Sequence, residues 1–370
     1  MMKVLFVDLP QQILPYEKEL RQVLDSVIFN QADFIMRQDL LDFEQAFAEF
    51  IGVKHAVGVA NGSDALNLCL KVLGIGPGNE VITVSHTFVA TIAAIHHAGA
   101  TPVLVDVAND YNMDIHRLQE AITPRTKAIM PVHLNGRICD MDSILEIAKE
   151  YNLHVIEDSA QACGATYRGK KAGSFGILST NSFYPFKILG CFGDGGMITT
   201  DNPDINYNLR CLRDNGQDRQ KGDILFWGWN SRLDNLQAAI LLVMLKHLPD
   251  IIKRRRMLAE LYQTSLSGIP GLSLPQGPVT TGTYYDVFQN YVLRTKRRDD
   301  LVKHLNSNDI GTLISWPVPT HFHKGLGLTN FVLPNTESIS REVVSLPMHP
   351  ALSDEEVLYI CDVIKTFFSR

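Results

Sequence analysis

Lys187 stands in Asn181-Ser182-Phe183-Tyr184-Pro185-Phe186-Lys187-Ile188-Leu189-Gly190, an apolar run with one ammonium, and Gly193, Gly195 and Gly196 follow closely. A primary amine becomes nucleophilic when desolvation or a neighbouring cation lowers its pKa, and its usual partner is an aldehyde cofactor such as pyridoxal phosphate (PLP). The same lysine also fits a stem lying on apolar surface with its ammonium carried out to water. Upstream, His154-Val155-Ile156-Glu157-Asp158 reads as a short buried strand ending in two carboxylates, followed by Ser159-Ala160-Gln161-Ala162. Parallel sheets present their chemistry at the carboxyl ends of strands. A carboxylate there can keep a pyridine nitrogen protonated, so that the ring accepts the electrons of a carbanion. Asp158 suits that role and equally suits a helix N-cap. Gln161, three residues on, is within reach of the face or phenolic oxygen of such a ring.

Val57-Gly58-Val59-Ala60-Asn61-Gly62-Ser63-Asp64-Ala65-Leu66 reads as a strand, a tight Asn-Gly turn and a helix with apolar Leu66, Leu70 and Leu73. The N–H groups at such a helix start attract an anion, which makes the backbone of Gly62 and Ser63 and the Ser63 hydroxyl a candidate phosphate cup. An Asn-Gly-Ser turn is also an ordinary cap. Phe88, in Thr87-Phe88-Val89-Ala90-Thr91 after the strand Glu80-Val81-Ile82-Thr83-Val84, suits stacking on a flat ring and equally a place in the core.

These residues together resemble the sugar aminotransferases of the DegT/DnrJ/EryC1/StrS family, from about Phe43 to the C-terminus. Beyond the stretches already quoted, the likeness includes Phe43-Glu44 and Gly193-Asp194-Gly195-Gly196. The resemblance implies an α/β fold of the type I PLP-dependent transferases. A large domain with a mostly parallel sheet would span 1–245, and a smaller C-terminal α+β domain 246–370. It implies that Lys187 joins the cofactor aldehyde, that Asp158 holds the pyridinium, that Phe88 stacks, and that Gly62, Ser63 and Ser182 bind the phosphate. Asn230, in Gly228-Trp229-Asn230-Ser231-Arg232, would complete the phosphate site of a neighbouring subunit, making the enzyme a homodimer with shared active sites. The activity implied is transfer of an amino group, with L-glutamate as donor, to a keto-sugar usually linked to a nucleotide. Amino-sugar, lipopolysaccharide or other polysaccharide biosynthesis would be the setting, and Gln161 resembles members acting at sugar C-3.

Two departures bear on the substrate. Many members have Leu-Tyr-Gly where this chain has Leu134-Asn135-Gly136 after His133, and many have His-Tyr-Pro where it has Ser315-Trp316-Pro317. His133, Arg137, Trp316, His321 and His323 are therefore candidate substrate residues, each also readable as surface or core filler. The Ser315-Trp316 departure would also admit an acidic sugar without a nucleotide, such as an oxidised octulosonate. A PLP-dependent sugar dehydratase is disfavoured because members of that kind replace the lysine with histidine. A non-catalytic binding or regulatory protein would leave Asp158, Ser182, Lys187 and Asn230 without a purpose.

Positioning these residues requires a large scaffold, and 370 residues suffice for one large domain and a smaller one. The net charge of −6 gives no footprint for nucleic acid or an anionic membrane. The basic run Lys253-Arg254-Arg255-Arg256 lies in a helical pattern and reads as a solvated face. Six scattered cysteines without Cys-x-x-Cys spacing suit reduced thiols of a cytoplasmic protein and no metal site. The N-terminal apolar stretch is too short for a signal peptide, and no uninterrupted apolar run is long enough to span a bilayer. Strands are expected at 81–84, 102–107, 127–132, 154–158, 197–200 and 290–293, with helices near 88–98, 114–122, 140–151, 232–268 and 298–308. Their alternation predicts a mostly parallel sheet covered on both faces.

Overall fold

The computed structural model describes residues 2–279 and 281–369. Its main sheet has seven strands: β1 (His55–Val59), β2 (Glu80–Val84), β3 (Thr101–Val105), β4 (Thr126–Ile129), β5 (His154–Asp158), β6 (Leu178–Ser182) and β7 (Gly196–Thr200). Across the sheet their order is β1-β7-β6-β5-β4-β2-β3. All pairings are parallel except those of β7, which runs antiparallel to both neighbours. The reversed strand has a consequence for the site. Gly196, at the start of β7, pairs with Val59 on one side and Ser182 on the other, so the last residues of β1 and β6 meet at one sheet edge. Asp158 closes β5 in register with Thr180 of β6, two residues short of that point.

Helices follow the strands, as the alternation predicts. Gly62–Val72 leaves the end of β1, Val89–His97 joins β2 to β3, and Met141–Glu150 joins β4 to β5. Asp140 caps the last of these by accepting from Ser143 N at 3.4 Å. The helix Asn235–Leu266 continues unbroken past position 245. Its first half packs in the larger core with Phe43, Phe47 and Phe183, and from Leu258 onward it packs in a second core. It stops at Leu266, before Pro270, because Ser267 is extended and Gly268 has φ +80°. By length and composition this helix is apolar enough to cross a membrane, yet its apolar residues are those that form these cores.

The second core is built on the antiparallel pair Tyr291–Arg294 and Val343–Leu346, flanked by helices Arg298–Ser307 and Asp354–Phe368. The N-terminal segment joins this unit: Val4 N donates to Asp309 O at 2.9 Å and Gly311 N to Val4 O at 2.8 Å. The basic run at 253–256 is not a solvated face. Only Lys253 is exposed, while Arg255 and Arg256 are buried. Arg256 donates to the carbonyls of Asp286 and Val279 at 2.6 Å each and lies 3.8 Å from the Tyr285 ring centre. The correction has a physical cause: the helix is covered on that side by Val279 and by residues 285–289, whose carbonyls need donors.

Candidate active site

A cavity of about 940 Å³ opens at the carboxyl edge of the sheet, lined by Asn61, Gly62, Ser63, Phe88, Thr91, Asp158, Gln161, Ser182 and Lys187 among others. The sheet brings together here residues that lie more than a hundred positions apart. Asn61 begins the helix after β1 with its side chain accepting from Asp64 N at 2.8 Å, which leaves Gly62 and Ser63 in the first turn without intrahelical acceptors. Gly62 must be glycine for packing: a Cβ there would stand 2.9 Å from Ser182 Cβ. Helix start and serine are thereby held side by side, as an anion site needs.

Strand alternation decides between the two carboxylates that end β5. Glu157 is turned away from the cavity and wholly engaged, accepting from Gly173, Phe175 and Gly176 N–H groups at 2.8–2.9 Å. Asp158 lines the cavity while buried, accepting from Thr91 Oγ1 at 2.8 Å and from Ala160 N at 3.2 Å. No helix starts at Asp158, so the cap reading has no helix to serve. Phe88 is 61% exposed on the cavity wall, outside the core. Gln161 also lines the wall, its Oε1 accepting from Asn135 N at 2.9 Å.

Lys187 sits in a tight turn after β6. Its N–H donates to Tyr184 O at 2.8 Å, and a Cβ at Gly190 would stand 2.9 Å from Pro185 O, so only glycine lets the turn close. Burial lowers the pKa of the amine, against an opposing pull from the Asp158 charge. Gln289, absent from the sequence reading, clasps this turn. Its Oε1 accepts from Ile188 N at 3.0 Å and its Nε2 donates to Phe186 O at 2.8 Å.

Of the five candidate substrate residues, the structure places only Trp316 on this cavity. Trp316 has φ +51° and meets His86 edge-on at 5.1 Å; burial, then the charge of Arg294, pushes the His86 imidazole down to about 4. His133 is fully buried behind β5: Cys139 N donates to its Nδ1 at 3.3 Å, leaving Nε2–H to donate to Glu157 at 3.0 Å. His321 is also fully buried, 2.7 Å from Ser85 Oγ, and His323 is exposed away from the cavity. Arg137 lines a separate pocket, paired with Asp286 at 2.8 Å and Asp110 at 3.3 Å and stacked on Tyr284. These four corrections share a cause, since histidine and arginine signal polarity in a sequence but not which wall they face. Asn230 is exposed and does not line its own chain's cavity, whereas Ser231 beside it donates to Asp64 Oδ2 at 2.7 Å.

The family model for the DegT/DnrJ/EryC1/StrS aminotransferases matches residues 16–365. The chain belongs to that family. It is 43% identical, over 100% of its length and 97% of the relative's, to the dTDP-3-amino-3,4,6-trideoxy-alpha-D-glucose transaminase of Streptomyces venezuelae. It is 44% identical, over 98% of its length and 99% of the relative's, to the dTDP-3-amino-3,6-dideoxy-alpha-D-galactopyranose transaminase of Aneurinibacillus thermoaerophilus. Its structure matches that of S. venezuelae DesV in complex with a ketimine intermediate at a TM-score of 0.95, with 41% identity and 100% of both chains covered.

As a member of the DegT/DnrJ/EryC1/StrS family the protein is a PLP-dependent sugar aminotransferase of fold type I. The cavity fits the cofactor. It offers a helix start and a serine packed together, a desolvated amine, a buried carboxylate and an open aromatic face, each matched to one part of PLP. When bound, the cofactor carries the amino group and holds the electrons of the C–H bond that breaks.

Proposed function

We propose that the protein transfers the amino group of L-glutamate to the 3-keto group of a nucleoside-diphosphate sugar, acting in the cytoplasm as a homodimer with shared sites, toward amino sugars of a cell-surface polysaccharide. The observation that carries the reading is the convergence of Lys187, Asp158 and the Gly62–Ser63–Ser182 cup on one cavity. In it Lys187 holds the cofactor and moves the proton between donor carbon and cofactor, which requires an amine that neutralises readily. Asp158, fixed by Thr91, keeps the ring nitrogen protonated. Gly62, Ser63 and Ser182 bind the phosphate, and Phe88 covers the ring. Gln161 on the cavity wall and the 3-amino products in the names of two relatives support reaction at C-3.

Subunit sharing is supported by Asn230, exposed next to Trp227, which is 93% exposed, and to Ile224 and Trp229. A cluster of large apolar side chains in the open suits a protein contact. The division into large and small units is proposed to fall within the helix Asn235–Leu266.

The experiment is a screen. Enzyme whose cofactor has first been converted to its amine form by L-glutamate is offered 3-keto and 4-keto nucleotide sugars and an acidic keto-sugar lacking a nucleotide. Return of the aldehyde absorbance with the 3-keto nucleotide sugar is the expected result. Return with the acidic sugar alone would replace the nucleotide-sugar reading.

A further inference from the structure

Arg255 is a buried cation with no anion beside it among the described residues. It is 5% exposed, its Nη1 donates only to the carbonyls of Phe288 at 3.1 Å and Gln289 at 3.3 Å, and its Nε has no partner among the described residues. Its neighbour differs: Arg254 pairs with Asp354 at 2.8 Å. Burial alone pushes the Arg255 guanidinium down to about 10, with no carboxylate offsetting it. A charge in such a place calls for a counter-ion.

His349 is 6% exposed, and neither ring nitrogen has a hydrogen-bond partner among the described residues. Burial lowers its pKa, aided by the charge of Arg255 and opposed by the Leu5 backbone, which lies outside regular hydrogen-bond geometry, and by the charges of Asp8 and Glu356. Both side chains line the cavity that holds Lys187. Arg255 is tied to it through Gln289, whose carbonyl takes Arg255 while its amide clasps the residues on either side of Lys187. The cup at Gly62 and Ser63 answers for the cofactor phosphate, so the charge of Arg255 is left for a substrate. Its depth and the unused Nε edge of its fork suit a planar carboxylate.

We propose that Arg255 and His349 form the subsite that takes a carboxylate of the amino-acid donor. The assignment rests on the aminotransfer reading above and adds to it the donor's place in the cavity. Arg255 supplies a forked donor edge, and a neutral His349 supplies one further N–H.

The test separates the two halves of the reaction. Holoenzyme is mixed with L-glutamate, L-glutamine or L-aspartate without sugar, and cofactor absorbance gives the half-saturating donor concentration; calorimetry with glutarate, which cannot react, gives binding alone. Arg255→Met is expected to raise half-saturation about 10- to 100-fold and to abolish measurable glutarate binding, as loss of a charged hydrogen-bonded pair does. His349→Ala is expected to raise half-saturation less, while the sugar half-reaction keeps its half-saturating concentration in both variants. Unchanged donor half-saturation in both variants overturns the subsite. A loss confined to the sugar half-reaction, or equal in both halves, also overturns it. If the wild-type protein refuses glutamate but takes another amino acid, the donor named above is wrong and that amino acid tests the subsite. Should Arg255→Met not retain cofactor, the result for His349→Ala decides.

Discussion

Thr91 Oγ1 donates to Asp158 Oδ2 across 2.8 Å, and the Thr87 hydroxyl stands 2.9 Å from that of Thr91. The relay links the start of the helix after β2 to the end of β5, two places adjacent only because the sheet interleaves its strands. It fixes the orientation of the carboxylate at the cavity wall.

Asp158→Asn keeps the shape and removes the charge. Turnover is expected to fall on the order of 100-fold or more, since the ring nitrogen loses the partner that keeps it protonated. Thr91→Val removes one hydrogen bond of about 1 kcal/mol and should lower kcat/KM only about fivefold. Steady-state rates of the two variants check the order of effects. An amide oxygen can accept from Thr91 and Ala160 as the carboxylate does, so full activity of Asp158→Asn would return the residue to a structural role.

Gln289→Ala releases both ends of the clasp on Phe186 and Ile188. Two hydrogen bonds to loop backbone are worth roughly 1–3 kcal/mol together, enough to loosen the turn without unfolding the protein. The expected outcome is faster loss of cofactor on dialysis, with a thermal midpoint lowered by only a few degrees. A rate of cofactor loss equal to that of the wild type would show that the turn holds itself.

The pH dependence of cofactor attachment follows from the environment of Lys187. The neutral amine attacks the aldehyde, and burial lowers the pKa from the ordinary 10.5. Attachment to apoprotein, followed by absorbance, should therefore rise with pH and level off below 10.5. The Asp158 charge opposes the shift, so Asp158→Asn should move the profile further toward low pH.

Much of this was legible because apolar periodicity is strong where the sheet is buried. The strand at 154–158 coincides with β5, and the helix expected at 140–151 is Met141–Glu150. β6 was not legible as a strand, since its middle is Ser179-Thr180-Asn181. Ser179 and Thr180 are buried through bonds such as Ser159 Oγ to Ser179 Oγ at 2.9 Å and Thr180 Oγ1 to Glu157 O at 3.2 Å, not through hydrophobicity. Gln289 and Arg255 were missed for a different reason. Gln289 reaches the Lys187 turn from 102 residues away in sequence (289 − 187), Arg255 meets the Gln289 carbonyl across 34 (289 − 255), and no local pattern encodes such meetings.

Asn230 gives the last prediction. It belongs to the phosphate site by resemblance, yet in its own chain it is exposed and off the cavity. If it serves the neighbouring subunit, Lys187→Ala and Asn230→Asp are each inactive alone, the second because its carboxylate repels the phosphate. In a mixed dimer one site then carries both defects and the other carries neither. Activity is expected to return on subunit exchange, toward a quarter of the wild-type level, because half of the dimers are mixed and half of their sites are intact. Exchange demonstrated by differential tagging without any return of activity would place the action of Asn230 within its own chain and remove the case for a shared site.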